Sequence, residues 1–155
     1  MSDTNQPVLF YSVSEAYGEF SNFAEYPIQV DGKRWPTSEH YFQAQKFTEV
    51  QHREAIRKAP SPMQAARMGR DRKRPLRKDW ESVKVAVMRT AVLSKFAQYE
   101  KLCMLLISTG QRKIVEHTTN DSYWGDGGDG SGKNMLGRIL MEVRSQLREE
   151  ADNNT

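Results

Sequence analysis

Several features are scarce in this chain of 155 residues, and each scarcity excludes a class of protein. Cys103 is the only cysteine, so neither an internal disulfide nor a zinc site built from several thiolates can form. The three histidines lack the paired spacing of metal ligands. No apolar run approaches the ~20 residues of a membrane helix, and residues 1–7 lack the apolar stretch of a signal peptide. We therefore expect a cytoplasmic protein without metal, cofactor or membrane segment.

Positive charge is modest in total but concentrated in one segment. The formal net charge is +3, yet residues 67–89 contain nine Lys or Arg and only three Asp or Glu. A local basic surface indicates a phosphate-bearing partner. A solvated helix face is the ordinary alternative, and charge alone does not decide between the two.

The hydrophobic pattern predicts short strands early in the chain and helices later. The predicted strands are Val8–Tyr11, Ile28–Val30, Lys33–Trp35 and Lys113–Glu116. Asp31-Gly32 supplies the positive φ of a tight turn, so the second and third strands should form a hairpin. Because strands and helices do not alternate regularly, the pattern favours an α+β fold over an α/β fold.

Helix boundaries are marked by capping residues. Helices are predicted from Pro36-Thr37, from Ser61 to Gly69, after Asp79, over Tyr99–Ile107 and from Met135 to Leu147. The second of these has a serine N-cap, a proline in the first turn and a glutamine three residues after the cap. Gly69 is expected to end it, because glycine often terminates helices.

The segment Asn120–Asn134, here called the glycine-rich loop, combines five glycines with three aspartates and two aromatic residues. Glycine allows the backbone to approach a ligand closely. The loop nearly matches a nucleotide phosphate loop, but Asn134 stands where a hydroxyl should meet magnesium. The spacing Gly125-x-Gly127-x-x-Gly130 imitates a dinucleotide fingerprint but lacks the preceding strand. The loop therefore indicates a small-molecule site without a standard nucleotide motif.

A second polar cluster lies on the helix predicted after Thr37. Glu39, Gln43 and Lys46 are spaced i, i+4, i+7, which places them on one helical face among many aromatic residues. A ligand-binding stripe would explain this combination. An exposed polar face above an aromatic underside is the alternative.

Five long motifs together resemble one family. They are GEFSNF at 18–23, WPTSEHYFQAQKF at 35–47, ARMGR at 66–70, RPLRKDWESVK at 74–84 and DSYWGDGGDGSGKNMLGRILMEVR at 121–144. In this order they resemble the NADAR (YbiA-like) family over roughly residues 8 to 148. The resemblance implies a single α+β domain at 8–148, with flexible tails at 1–7 and 149–155.

The resemblance also implies an activity, the hydrolysis of N-glycosides. Family members cleave the bond between ribose 5-phosphate and an aminopyrimidine in early intermediates of riboflavin biosynthesis, or remove ADP-ribose from guanine bases. The family's catalytic positions fall on Glu39, Trp80 and Asp121, and Lys46 matches a lysine proposed to act covalently.

These residue types suit the chemistry, although their individual roles stay open. A carboxylate can stabilise positive charge at the anomeric carbon or activate water, and a protonated acid can assist the leaving nitrogen. Glu39 and Asp121 are the candidates for these roles, and either could instead orient ribose hydroxyls. A neutral Lys46 could form a Schiff base with the opened sugar. Equally, Lys46 could form an ion pair or hold phosphate.

The remaining candidates are assigned to substrate binding. Trp80 is expected to stack on the base, and Asn22 to contact a ribose hydroxyl. The full substrate-binding set is Gly18, Glu19, Asn22, Arg70, Arg77, Tyr123, Trp124, Gly125, Asp129, Gly130, Lys133 and Asn134. Within it, the phosphate candidates are the two arginines and Lys133.

Three functions are compatible with these expectations. The first is a metal-independent N-glycosidase acting on a small phosphoribosyl substrate. The second is a hydrolase that removes ADP-ribose from guanine in nucleic acid, for which the basic segment is also suited. The third is a non-catalytic module that binds ADP-ribose or another nucleotide. Such a module has no need for two carboxylates at catalytic positions, so their presence favours an enzyme.

Overall fold

A computed structural model of the chain describes residues 5–154. It contains four short strands: β1 (Val8–Phe10), β2 (Ile28–Val30), β3 (Lys33–Trp35) and β4 (Ile114–Glu116). The helices are α1 (Ser38–Ala44), α2 (Val50–Arg57), α3 (Pro62–Arg70), α4 (Trp80–Gln98), α5 (Glu100–Ser108) and α6 (Met135–Asn153), with a 3₁₀ helix at Gly18–Phe20. The predicted α+β fold is confirmed. Within residues 5–154, no helix is long and apolar enough to cross a membrane.

The described chain forms two compact units. The central unit is Asn22–Lys95; the terminal unit consists of the described residues up to Ser21 and from Phe96 onward. Residues 1–4 and 155 of the predicted tails lie outside the described residues. Helix α6 continues to Asn153, whereas the sequence predicted a helix from Met135 to Leu147. Glu149, Glu150 and Ala151 favour helix, which accounts for the extension. A single domain over residues 8–148 stays a prediction.

The central unit begins with the predicted hairpin. Asp31 (φ 54°) and Gly32 (φ 75°) form a left-handed turn, and antiparallel pairing aligns Ile28 with Trp35. Helices α1, α2 and α3 pack together beside β3. A buried apolar cluster joins these elements; it comprises Ile28, Trp35, Tyr41, Ala44, Phe47, Ile56, Ala59, Ala65 and Ala91.

Helix α3 begins as predicted and ends differently. The Ser61 hydroxyl accepts a hydrogen bond from the Gln64 amide at 3.1 Å, which confirms the N-cap. The helix continues through Gly69 to Arg70, and Asp71 is the C-terminal cap. Gly69 is therefore a helical residue and not a helix stop. The absence of a side chain at Gly69 leaves space for the side chain of Gln43.

The terminal unit joins distant parts of the chain. Strand β1 pairs in parallel with β4, aligning Val8 with Ile114. Helix α6 packs on β4 and on α5. Phe20 lies in the core of this unit, 5.8 Å from the Phe10 ring and 5.7 Å from the Phe96 ring, measured between centroids.

Candidate active site

Glu39 lies in the first turn of α1 and is held there by its neighbours. The Thr37 hydroxyl caps the helix by accepting a hydrogen bond from the His40 amide at 3.2 Å. The Glu39 amide donates to the carbonyl of Asn22 at 3.2 Å. The Glu39 side chain is only 8% exposed. A nearly buried carboxylate is costly unless other groups compensate it, which is typical of functional positions.

Asn22 anchors the start of α1. Its side-chain oxygen accepts a hydrogen bond from the Ser38 hydroxyl at 2.7 Å, and its amide nitrogen donates to the Met88 sulfur at 3.3 Å. Both ends of the amide are thus engaged within the central unit. Contact between Asn22 and a ribose hydroxyl stays a prediction.

Lys46 is not on the helix that carries Glu39, contrary to the spacing argument. Helix α1 ends at Ala44, and the Lys46 amide turns back to donate to the Gln43 carbonyl at 3.2 Å. The expected i+7 position on one helical face is therefore wrong, because the helix ends before Lys46. Glu39 and Gln43 do share a face, and the Gln43 amide nitrogen donates to Glu39 Oε2 at 2.7 Å.

Two aromatic rings border the Lys46 ammonium group. Its Nζ lies 6.0 Å from the centroid of the Phe42 ring and 5.9 Å from that of Trp80. The two rings meet edge to face at 5.2 Å. Aromatic faces attract a cation, but they also replace the water that would solvate it.

The electrostatic surroundings change the acidity of Lys46. Burial is the main cause that lowers the pKa of Lys46 to about 8, from an ordinary 10.5. Glu39 acts in the opposite direction, while Arg72, Arg70 and Lys84 lower the pKa further. These interactions bring three of the four predicted catalytic residues, Glu39, Lys46 and Trp80, into one cluster. We call them, together with Gln43, the Glu39 cluster.

Arg77 holds the Lys46 turn in place. Its guanidinium group pairs with both oxygens of Asp79, at 2.6 and 3.1 Å, and donates to the Gln45 carbonyl at 3.4 Å. Its backbone amide donates to the Lys46 carbonyl at 2.8 Å. These contacts give Arg77 a structural role, and its proposed contact with phosphate is not tested by them. Arg70, by contrast, is exposed at the end of α3.

His40 is a structural hydrogen-bonding residue. Its ring nitrogens lie 2.8 Å from the Thr37 hydroxyl and 3.0 Å from the Ala59 carbonyl. Burial lowers the pKa of His40 more than the hydrogen bond to Ala59 raises it, so the ring is neutral at pH 7. In the described part of the chain, no group of three or more His, Cys, Asp or Glu could hold a metal ion.

Asp121 organises the start of the glycine-rich loop in the terminal unit. Its Oδ1 accepts hydrogen bonds from the amides of Tyr123 at 2.9 Å and Trp124 at 2.8 Å. The two aromatic rings pack edge to face at 4.9 Å. Among residues 5–154, no hydrogen bond to Asp121 Oδ2 is found. One carboxylate oxygen therefore shapes the start of the loop.

Asn134 substitutes for a strand partner of β4. Its side-chain oxygen accepts from the Glu116 amide at 3.0 Å, and its nitrogen donates to the Ile114 carbonyl at 2.9 Å. The residue adopts a left-handed backbone, φ 52°, at the start of α6. These contacts give Asn134 a structural role in the fold. A contact between Asn134 and substrate stays a prediction.

A groove of about 600 Å³ runs beside β4 and the glycine-rich loop in the terminal unit. Its lining includes four predicted substrate-binding residues: Asp129, Gly130, Lys133 and Asn134. The Lys133 ammonium also lies 5.7 Å from the centroid of the Tyr123 ring. Gly125 is packed closely, since a β-carbon there would lie 2.8 Å from a Thr118 methyl group.

Gly18 and Glu19 belong to the 3₁₀ helix of the terminal unit. A β-carbon at Gly18 would collide with the backbone of Val13, so this glycine is required by packing. Glu19 is partly buried. The substrate contacts expected from these two residues stay predictions.

Asp126 is the important residue of the loop that sequence reasoning missed. It is 5% exposed and accepts hydrogen bonds from the amides of Thr118 and Gly128 and from His117 Nδ1, at 3.0, 2.9 and 2.8 Å. Burial alone would raise the pKa of Asp126, but these hydrogen bonds together lower it below the ordinary 3.8. No local motif distinguishes Asp126 from the other two aspartates of the loop.

We predict that Asp126→Asn lowers the free energy of unfolding by about 2 kcal/mol at pH 7, because the two amide hydrogen bonds lose the negative charge of their acceptor and His117 Nδ1 loses its acceptor oxygen. A depressed pKa in the folded state stabilises the fold above the unfolded pKa. The difference from wild type should therefore shrink as the pH falls below about 3.8. Urea unfolding across pH measures this. Asp129→Asn, in the exposed turn of the same loop, is the control, and equal losses in both variants would contradict the prediction.

Comparisons with known proteins agree over nearly the whole chain. Residues 9–148 match the NADAR domain. The chain is 64% identical over 140 residues to N-glycosidase YbiA of Escherichia coli K12, covering 90% of this chain and 88% of that protein. It is 46% identical over 149 residues to a riboflavin biosynthesis protein of Vibrio vulnificus, covering 96% of this chain and 41% of that protein.

The fold is also shared with a solved structure. The NMR structure of the E. coli protein YbiA superposes with a TM-score of 0.89 at 60% sequence identity, covering 97% of this chain and 89% of that one. The chain belongs to the NADAR family.

Proposed function

We propose that this chain is an N-glycosidase that hydrolyses the C–N bond between ribose 5-phosphate and an aminopyrimidine in early intermediates of riboflavin biosynthesis. The observation that carries the proposal is the Glu39 cluster, in which a nearly buried carboxylate accompanies a lysine with a pKa of about 8. The names of relatives from E. coli and V. vulnificus support the reaction and the substrate class.

Glu39 is proposed to stabilise the positive charge that develops on the anomeric carbon. In the route through Lys46 that follows, the anomeric carbon carries positive charge in the iminium ions that form before and after the C–N bond breaks. A carboxylate in a site with little water interacts with that charge more strongly than it would in solvent. Because Gln43 donates to Oε2 and the helix backbone is capped, the carboxylate is held in place before substrate arrives.

Lys46 is proposed to attack the sugar as a neutral amine. The exocyclic nitrogen first opens the ribose ring to an imine; the Lys46 amine then adds to that carbon and the aminopyrimidine leaves as an amine. The resulting lysine Schiff base takes up water and releases ribose 5-phosphate and the free lysine. With a pKa of about 8, about a tenth of the lysine is neutral at pH 7, against roughly three in ten thousand for an unperturbed lysine.

The other predicted site residues are proposed as substrate contacts. Asp121 is proposed to orient ribose hydroxyls through Oδ2, and Trp80 to form an apolar wall that also desolvates Lys46. Arg70 and Lys133 are exposed cations suited to phosphate.

The single variants Arg70→Ala and Lys133→Ala should raise KM more than they lower kcat, because phosphate is bound equally in ground and transition states.

The reaction is proposed to need no metal and no cofactor, because the carboxylate, the lysine and water supply every proton and electron pair in these steps. A cytoplasmic location is part of the same proposal. Turnover that is unchanged by a chelator would agree with a reaction that needs no metal. Loss of turnover with the chelator, restored by added metal, would contradict it.

Removal of ADP-ribose from guanine in nucleic acid is the second candidate, and the exposed basic residues near Lys46 favour it. Arg70 and Arg72 already act on Lys46 through their charge. An enzyme that binds nucleic acid through phosphates should lose affinity steeply as salt increases, whereas a small metabolite should respond weakly.

A competition experiment separates the two candidates. Phosphoribosylaminopyrimidine and ADP-ribosylated guanosine are supplied in one reaction with a chelator, and ribose 5-phosphate and ADP-ribose are quantified together. We expect the first product to dominate. A higher kcat/KM for ADP-ribose release would favour the second candidate, and release of neither product would leave the nucleotide-binding module.

A further inference from the structure

The amide group of Gln43 is wedged between Glu39 and α3. Gln43 is 6% exposed, and its nitrogen donates to Glu39 Oε2 at 2.7 Å. The reverse amide orientation would place two oxygens at this distance, so the N–H side must face the carboxylate. The other end, Oε1, is buried and has no hydrogen-bond partner in the described part of the chain.

The group that faces Oε1 is Gly69. A β-carbon at this position would collide with Gln43 Oε1 and would lie 2.7 Å from Cδ of the same amide. Gly69 is buried within α3, where its φ does not require glycine. A glycine weakens the interior of a helix relative to alanine, so the local backbone gives no reason for it. The space that it leaves for the Gln43 amide does.

We propose that Gly69 and Gln43 are positioning residues that fix the catalytic orientation of the Glu39 carboxylate. Helix α3 forms a flat surface at Gly69, the amide of Gln43 lies against it, and its N–H group reaches Glu39. This inference rests on the proposed function, because it assigns how the carboxylate of that site is oriented. It adds a residue from α3 that acts on the carboxylate through the Gln43 amide.

The orphaned oxygen supports this interpretation. Leaving a buried acceptor without a donor costs free energy, and an amide free to turn would move to satisfy it. Here the amide keeps its orientation despite that cost, because its N–H group is bonded to a charged acceptor and its other end packs closely on Gly69. The unsatisfied Gln43 oxygen lowers the stability of the fold, and the fixed amide orients the Glu39 carboxylate; such a loss of stability is common at functional sites.

The variant Gly69→Ala tests the proposal. Its methyl group should displace the Gln43 amide and break the bond to Glu39, lowering kcat about 100-fold with little change in KM, as expected for a misplaced catalytic group. Gln43→Ala should lower kcat by a similar factor. Gln64→Ala, an exposed glutamine on α3, is the matched control and should retain wild-type kcat.

The double variant separates positioning from general damage. Once Gln43 is alanine, the methyl group at position 69 has space, so adding Gly69→Ala should change kcat less than twofold. The same addition should lower Tm by about 3 °C in the wild-type background and should not lower it in the Gln43→Ala background. Full additivity of the two effects on kcat would overturn the proposal.

A readout independent of turnover distinguishes this inference from the proposed function. The ¹³C chemical shift of the Glu39 carboxyl carbon at fixed pH should move in Gly69→Ala and in Gln43→Ala, and should stay unchanged in Gln64→Ala. If wild type hydrolyses no substrate but these shifts are seen, the proposed function fails and the positioning contact stands. If wild type is active and the ¹³C shift of the Glu39 carboxyl carbon is unchanged in Gly69→Ala, the positioning inference alone fails.

Discussion

Glu39→Gln is expected to lower kcat for phosphoribosylaminopyrimidine by about 1,000-fold, within the range for a lost acid–base or charge-stabilising group. Glutamine has nearly the same shape, and its side-chain oxygen can still accept the hydrogen bond from Gln43. What disappears is the negative charge opposite the anomeric carbon. Steady-state release of ribose 5-phosphate measures the effect, and the thermal midpoint shows that the variant is folded.

The control for this variant is Glu49→Gln, which removes one negative charge from an exposed position of the same unit. It should retain kcat within about twofold, because exposed charges are screened by solvent. A Glu39→Gln enzyme with more than a tenth of wild-type kcat would remove Glu39 from the catalytic machinery. It would leave burial of the carboxylate without a functional explanation.

Lys46→Arg is expected to abolish turnover at every pH, although it preserves the positive charge. Arginine stays protonated and cannot act as a nucleophile. In wild type, only the neutral amine attacks, so kcat should rise as the pH increases through about 8 and level off above it. Borohydride added during turnover should trap the Schiff base and increase the mass of the peptide that contains Lys46.

Two other roles for Lys46 give different results. If its ammonium group only pairs with Glu39 or holds phosphate, Lys46→Arg should keep much of the activity and borohydride should trap nothing. In that case, kcat should fall and not rise as the pH passes 8. Lys58→Arg, at an exposed position, controls for the substitution itself and should behave as wild type.

Local signals in the sequence predicted the features that depend on neighbours along the chain. The Asp31-Gly32 turn and the Ser61 cap are formed as expected, because a tight turn and a capping box need only a few adjacent residues. Helix α2 was not predicted, since its N-cap, Glu49, makes no side-chain capping hydrogen bond. Its place is determined mainly by packing in the central unit.

Contacts between segments that are far apart in the chain could not be predicted from the sequence. The parallel pairing of β1 with β4 links residues more than 100 positions apart. The role of Gly69 depends on the Gln43 side chain of another helix, and sequence alone suggested a helix stop. The early end of α1 places Lys46 near Trp80 and away from a helical face, which no periodicity can show. The family resemblance supplied the predicted catalytic residues, and the structure brings three of them, Glu39, Lys46 and Trp80, into one cluster.

The most direct test of the account is multiple-turnover hydrolysis by the purified chain. Wild type and Glu39→Gln are incubated with a large excess of phosphoribosylaminopyrimidine, and ribose 5-phosphate is followed over time against the uncatalysed rate. The account predicts many turnovers per wild-type chain and almost none for the variant. Equal release by both proteins, or release no faster than without protein, would contradict it.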